Sequence, residues 1–135
     1  MRTRSLLFAG VLSLALFVVG FAQTVAEYQP LMKAAASANG AMQKSVQGGD
    51  LAAAATQAAE VKSAFQKIEQ FWAKHNVADA QEFSRNAQQA ADAVHAAAKA
   101  GQAEQAMAAA KQMGANCQGC HKVHREKGAD GWIIK

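Results

Sequence analysis

The chain has 135 residues, of which 51% are hydrophobic, and it carries 14 Lys and Arg against 10 Asp and Glu, for a formal net charge of +4. An opening segment that contains Arg2 and Arg4 but no acidic residue accounts for two of these charges, so +2 remains on the rest. Such a small excess argues against nucleic acid as a partner. The remainder, about 113 residues, is one small domain, a size at which a bound or covalent group often adds stability.

The opening segment has the pattern of a signal peptide. Two arginines precede the apolar run 6–21, and small residues stand before a cleavage point predicted after Ala22. A membrane anchor is the alternative, but roughly 16 apolar residues are fewer than the ~20 that span a bilayer. We therefore expect residues 1–22 to be removed on export, and residues 23–135 to form a single domain with no membrane span.

The composition of the remaining chain predicts an all-α fold. Alanine dominates, Pro30 is the only proline, and no useful length of sequence alternates apolar and polar residues as a strand does. Turn signals at 48–50, at 75–77 and at Gly101 separate four periodic segments. Short connections between helices of about 20 residues predict an antiparallel up-down-up-down four-helix bundle.

The first two helices have predicted ends and inner faces. The first should run from Val25 to Val46 with Pro30 in its opening turn, where a missing N–H costs no helical hydrogen bond. The second should begin after Asp50, which is a good N-cap residue. Spacing by threes and fours predicts the buried faces, namely Tyr28, Met32, Ala35, Asn39 and Met42 in the first helix and Leu51, Ala54, Ala58, Val61, Phe65, Ile68 and Trp72 in the second.

The last two helices follow the same rhythm. Asp79 with Glu82 three positions later resembles a capping box, which predicts the start of the third helix, and Gly101 should end it. His121 lies four residues after Cys117 and so shares its side of the fourth helix. The predicted inner faces are Phe83, Ala87, Ala90, Val94 and Ala97 in the third helix and Ala103, Ala106, Ala110, Met113, Cys117, Cys120 and His124 in the fourth.

The two cysteines of the chain lie in the sequence Cys117-Gln118-Gly119-Cys120-His121, a C-x-x-C-H cluster. This is the attachment signature of c-type haem. Two thiols with a two-residue gap can both reach the vinyl groups at the ring edge, and the adjacent imidazole can reach the iron. The cluster predicts one covalent haem c, held by Cys117 and Cys120, with His121 as its proximal axial ligand. Export agrees with this, because these thioether bonds are formed outside the cytoplasm.

Three other interpretations of the cluster are weaker. A dithiol oxidoreductase places its pair at a helix N-terminus after a strand, whereas this pair lies late in a helix. A zinc site made by Cys117, Cys120, His121 and His124 has suitable ligand types, but all four residues belong to one helix. A structural disulfide would close a very small loop, with little gain in chain entropy, and it leaves the histidine unexplained.

On these residues the chain resembles the cytochrome c′ and cytochrome c556 family, the class II c-type cytochromes. The cluster is followed by Arg125, and further matches are Ala100-Gly101-Gln102 before the last helix and Gly40-Ala41-Met42 within the first. The resemblance implies a four-helix bundle with haem near the C-terminal helix. It also implies a periplasmic, non-enzymatic carrier of single electrons that serves an unidentified redox partner protein, with a homodimer through the first two helices as a candidate assembly.

Members of this family differ on the far side of the iron. Some place a methionine of the first helix there, and counting back from Gly40 puts Met32 at that position. A thioether ligand favours ferrous iron and suits electron transfer, so we expect Met32 as the distal axial ligand. The alternative is a five-coordinate, gas-binding (NO or CO) cytochrome c′ in which Met32 only packs the distal pocket. A haem-free interaction bundle is a third hypothesis.

Further residues near the predicted haem either match the family pattern or depart from it. Arg125 is a candidate contact at the haem edge. An arginine usual in the first helix of the family is missing, with Tyr28 and Gln29 in its neighbourhood, and Tyr28 is a second candidate contact. His124 replaces the usual Phe or Tyr and is expected to be exposed to solvent. The segment 128–135, which includes Trp132, extends past the usual family ending and is expected to pack back on the bundle.

Overall fold

The computed structural model describes the backbone of residues 5–129 and 131–135, and the side chains of these residues from Val25 onward. Consecutive helices pack against one another, and the first also contacts the fourth. The predicted all-α four-helix bundle is therefore confirmed. The elements in chain order are α1 (Ser5–Gly48), α2 (Leu51–Lys74), α3 (Ala78–Lys99), α4 (Ala103–His124), β1 (Arg125–Gly128) and β2 (Gly131–Ile134).

The three predicted chain reversals are confirmed by backbone geometry. Gly49, Asn76 and Gly101 have φ values of 76°, 57° and 72°, a left-handed conformation that glycine and asparagine tolerate well. The carboxylate of Asp50 accepts a hydrogen bond of 3.0 Å from the backbone N–H of Ala53, so it caps α2 as predicted. These reversals bring neighbouring helices into antiparallel contact.

The core lies between the helix faces that the apolar spacing predicts. The predicted seam of α2 is buried from Ala54 to Trp72, and only Leu51 at its start is half-buried. Small side chains at these positions let the helix axes approach closely, and the larger Met42 and Met113 fill the remaining core volume with no exposed surface. The buried set of α3 consists of Ala80, Ser84, Ala87, Ala90, Ala91, Val94, Ala97 and Ala98.

The start of the first helix differs from the prediction. The helix begins at Ser5 rather than at Val25, so Pro30 lies in its interior and not in its opening turn. A proline inside a helix removes the hydrogen bond that its own nitrogen would have donated and crowds the carbonyl four residues earlier, and α1 continues through it. The side chains of the predicted signal peptide, 1–22, lie outside the described residues, and its removal stays a prediction. Over the described part of the chain, no helix combines the length and apolar character needed to cross a membrane.

The predicted capping box of the third helix is wrong. The N-cap is Val77, which makes no side-chain hydrogen bond, and Asp79 lies within the first turn. One oxygen of its carboxylate accepts from the N–H of Ala80 at 2.9 Å, and the other is bonded to α4. Several residues of the predicted inner faces are also less buried than expected. Ala103 is exposed, and the half-buried ones besides Leu51 are Met32, Asn39, Phe83, Cys117, Cys120 and His124.

The C-terminal segment folds into a β-hairpin that the helical composition did not predict. Strands β1 and β2 pair antiparallel, with Arg125 opposite Ile134 and Gly128 opposite Gly131. The backbone N–H of Lys135 donates to the carbonyl of His124 at 3.1 Å, and Ile134 is only 9% exposed. The expected packing of this segment on the bundle is therefore confirmed, and the hairpin lies directly beside the C-x-x-C-H cluster.

Candidate haem site

The cluster occupies the last turns of α4, where one helix face presents all three of its chemical groups. Cys117, Cys120 and His121 are half-buried, and both thiols are free. Residues three and four positions apart lie on the same side of an α-helix, so the two thiols and the imidazole point toward one region. This side of α4 borders both the gap toward α1, where the two helices make few contacts, and the core side toward α2 and α3.

The glycine inside the cluster explains how α3 supports it. A Cβ atom at Gly119 would lie 3.0 Å from the ring carbon Cε1 of Phe83, which is closer than side chains normally approach. The side-chain amide of Asn116 donates to the backbone carbonyl of Phe83 at 2.8 Å. The absence of a side chain at Gly119 therefore allows α3 to pack directly against the turn that carries the cysteines.

An apolar cleft of about 380 Å³ opens between α1 and α4, a volume within the usual range for ligand pockets. The hairpin covers part of this cleft, because Trp132, Ile133 and Ile134 of β2 line it. Residues of three elements line it, namely Val25, Tyr28, Gln29, Met32, Lys33 and Ala36 of α1, Cys120, His121 and His124 of α4, and Arg125, Trp132, Ile133 and Ile134 of the hairpin.

A second, much smaller space of about 10 Å³, the inner void, lies on the inner side of the cluster. It is bordered by α2 and α3 through Phe65, Ile68 and Phe83, and Cys117 faces this space rather than the cleft. Four residues line both spaces and so form the partition between them, namely Tyr28, Met32, Cys120 and His121. The residues that the sequence singled out for haem attachment and axial ligation thus surround one location.

Met32 is the methionine of α1 that reaches this location. It is half-buried and lines both spaces, whereas Met42 and Met113 are fully buried in the bundle core. The hydroxyl of Tyr28, one helical turn earlier, donates a hydrogen bond to the Met32 sulfur with an O···S distance of 3.3 Å. Of these three methionines, Met32 is the one that lines the cleft.

Aromatic rings hold Tyr28 in place. Its ring centroid lies 4.9 Å from that of Phe71 and 5.1 Å from that of Trp72, and these two rings of α2 meet edge to face. Such tilted and edge contacts are the favoured arrangements for aromatic pairs. The indole nitrogen of Trp72 is buried and has no hydrogen-bond partner among the described residues. The aromatic cluster closes this end of the bundle against water.

Burial sets the protonation of the site. It raises the pKa of the Tyr28 hydroxyl to about 12, and the nearby Cys120 and Cys117 add to this shift. It also raises the pKa of Cys120 to about 11, and Cys117 adds to that shift. Burial also raises the pKa of Cys117. It lowers the pKa of His121, and the positive charge of Arg125 lowers it further. At neutral pH the thiols are therefore protonated and the imidazole is neutral, with a nitrogen lone pair free for a metal.

The structure places Arg125 at the mouth of the cleft, with its guanidinium carbon 4.0 Å from the centre of the exposed Trp132 ring. The predicted solvent exposure of His124 is wrong. Its side chain is only 11% exposed, its Nε2 lies 2.9 Å from the carboxylate of Asp79, and its ring lies 5.3 Å from that of Trp72. Asp79 precedes it by 45 residues, so no local sequence signal announces this pair.

The donor set fits a covalent haem better than a bare metal ion. Two protonated thiols on one helix face, a neutral imidazole and a thioether across an apolar cleft are the groups that haem c requires. Among the described residues, no three or more His, Cys, Asp or Glu side chains are arranged to hold a metal ion.

Comparisons with known proteins agree with the fold. No protein-family model and no curated protein matches the sequence. The crystal structure of cytochrome c′ from Rubrivivax gelatinosus is similar, with 21% sequence identity and a TM-score of 0.60. The match covers 73% of this chain and 91% of that chain. A likeness at this identity shows a shared fold, so the chain has the four-helix bundle of cytochrome c′, as the sequence resemblance implied.

Proposed function

We propose that the protein is a class II c-type cytochrome that carries one covalent haem c and transfers single electrons. Cys117 and Cys120 form the thioether bonds, His121 is the proximal axial ligand and Met32 is the distal one. The observation that carries this proposal is the convergence of these side chains from α1 and α4 on one apolar location. The fold shared with cytochrome c′ supports it.

Each residue has a distinct part in this site. The haem iron, once bound, gains and loses one electron. The two cysteines anchor the ring to α4, and the neutral His121 offers its lone pair from the same helix. Met32 offers a soft, neutral sulfur from α1, and this favours the reduced iron. The aromatic cluster of Tyr28, Phe71 and Trp72 keeps water from this end of the site.

Two cationic side chains, Arg125 and Lys33, line the cleft. We assign to Arg125 a contact with the carboxylates at the haem edge. The small positive charge that remains after the opening segment would be roughly cancelled by the two haem propionates. We also propose that the protein is periplasmic after removal of residues 1–22, that its partner is an unidentified redox protein and that it is not an enzyme.

A homodimer is the proposed assembly. A groove runs along the exposed side of α1 and α2. It is lined by apolar residues such as Leu31, Ala38 and Ala64 and by the charged Glu60 and Lys67. It lies on the side of the bundle through which the sequence resemblance suggests pairing.

One observation supports the second candidate, a five-coordinate gas-binding protein. The Met32 sulfur already accepts a hydrogen bond from Tyr28, and a sulfur held only in this way would pack the distal pocket without reaching the iron. The solved structure with the same fold is a cytochrome c′. Spectra distinguish the two candidates.

The protein matured in a host that attaches haem should retain haem on a denaturing gel. The haem-free bundle hypothesis predicts a gel without bound haem. Its spectrum should be low-spin, with a weak methionine-to-iron charge-transfer band. Met32→Ala should abolish that band and give a high-spin spectrum. The matched control is Met42→Ala, a core methionine of the same helix, which should keep the low-spin spectrum. A high-spin wild-type protein that binds carbon monoxide rapidly would favour the gas-binding candidate.

A further inference from the structure

The hydroxyl of Tyr28 acts directly on the sulfur of Met32. The two residues are four positions apart on α1, so their side chains lie on the same helix face. The O···S distance is 3.3 Å, and the hydroxyl is the donor because a thioether sulfur can only accept. Tyr28 is the only tyrosine in the chain.

The position of this hydroxyl is fixed by its surroundings. The Tyr28 side chain is 8% exposed, and its ring is held between Phe71 and Trp72 of α2, with centroids within about 5 Å. Both Tyr28 and Met32 line the cleft and the inner void. A ring held by a neighbouring helix therefore presents its donor to a flexible side chain that faces the candidate iron position.

A thioether sulfur has two lone pairs. One of them accepts from Tyr28, and the other is free to face a metal. A hydrogen bond to the first lone pair withdraws electron density from the sulfur, which makes it a weaker donor. Ferric iron, the more highly charged form, loses more stabilisation than ferrous iron when its ligand becomes a weaker donor.

Resting on the proposed function, we propose that Tyr28 is a positioning residue for the distal ligand. Its hydroxyl fixes the orientation of the Met32 side chain and, by withdrawing electron density from the sulfur, shifts the iron toward the ferrous state. The hydrogen bond spans one turn of one helix, so the effect does not depend on any partner protein.

The test is Tyr28→Phe in the haem-bearing protein. Phenylalanine keeps the ring contacts and removes only the hydroxyl. At a fixed solution potential the ferric-to-ferrous ratio should rise about two- to tenfold, the range expected for one net hydrogen bond. The methionine-to-iron charge-transfer band should also shift. In a Met32→Ala background the same substitution should leave the ferric-to-ferrous ratio unchanged.

The control is Ser84→Ala, which removes another buried hydroxyl. Ser84 also borders the inner void, but it donates to the carbonyl of Ala80 in its own helix at 2.8 Å. This variant should keep the wild-type ratio and band. Thermal unfolding of both variants checks that the bundle remains folded.

Three results overturn the proposal. If the wild-type protein shows the methionine band and Tyr28→Phe has the same ratio and band, the hydroxyl does not act on the ligand, although the proposed function stands. If Ser84→Ala produces a shift equal to that of Tyr28→Phe, the effect belongs to general loosening of the site. A high-spin wild-type protein contradicts the proposed ligation itself and this inference with it, so the two failures are distinguishable.

Discussion

The two sides of the bundle are built differently. Between α2 and α3 the helices pack along their length through buried alanines and valines, and ion pairs tie their outer surfaces at Lys62–Asp92 and Arg85–Glu69. Between α1 and α4 the contact is sparse, and the cleft of about 380 Å³ separates the helices near the cysteines. The side chain of Gln43 bridges them further along, where it donates to the carbonyl of Ala110 at 2.7 Å.

This contrast shows how one composition serves two purposes. Alanine at buried positions lets α2 and α3 approach closely, and this closed side carries much of the core. The same small side chains leave space on the other side of the bundle, where Tyr28, Met32 and the cluster residues supply chemistry instead of packing. Substitutions in the buried core of the closed side should therefore chiefly cost stability, and substitutions of the cluster residues on the open side should chiefly change the cofactor.

The largest effect is expected on the open side. Replacement of both Cys117 and Cys120 by Ser should abolish covalent haem completely, because no other thiol in the chain can form the bond. A haem-stained denaturing gel measures this. The matched control is Gln118→Ala, at an exposed position between the two cysteines, which should stain as the wild type does. Covalent haem in the double variant would contradict the assignment.

A pair of identical substitutions compares the two sides directly. Val61→Ala on α2 removes two carbons from a fully buried site and should lower the free energy of unfolding by about 2 to 3 kcal/mol, the sum of transfer and cavity terms. Val25→Ala, at a half-buried position on the wall of the cleft, should cost less than about 1 kcal/mol. Urea unfolding measures both variants, and equal losses would contradict the contrast between the sides.

Local patterns in the sequence predicted what local geometry determines. The seam of α2 from Ala54 to Trp72 was predictable because burial on a helix repeats every three to four residues. The cluster from Cys117 to His121 was predictable because its three groups lie within two turns of one helix. The hydrogen bond between Tyr28 and Met32 also has a local signal, a spacing of four residues, that could have been recognised.

The features that the sequence did not predict depend on distant contacts or on competition between partners. The capping motif at Asp79 looked local, but the carboxylate is engaged by His124 from another helix, and the helix starts one residue before the aspartate. The same contact explains why His124 is buried. The hairpin escaped prediction because four-residue strands contain too few positions to show alternation, and they are stabilised by packing of Ile134 on the bundle.

The hairpin should open when its buried end is weakened. Ile134→Ala should lower stability by about 2 kcal/mol, near the low end for a buried isoleucine, because the site lies at the edge of the core. The amide of Lys135, which donates to the His124 carbonyl, should then exchange its hydrogen faster. Lys127→Gln, at an exposed position on β1, is the control and should keep slow exchange. Unchanged exchange in Ile134→Ala would mean that other contacts hold the hairpin over the cleft.

The smallest effect compares two polar contacts between helices. Asp79→Asn weakens the contact with the largely buried His124 at the open side and should cost about 0.5 to 1.5 kcal/mol, a typical value for one hydrogen bond. Asp92→Asn breaks the exposed pair with Lys62 on the closed side, where solvent screening limits the loss to about 0.2 to 1 kcal/mol. Urea unfolding at low and high salt measures both variants. Added salt should reduce the loss at Asp92 more than the loss at Asp79, because the partly buried pair is screened less. If salt reduced the loss at Asp79 more than the loss at Asp92, the contact between His124 and α3 would contribute little to holding the cluster in place.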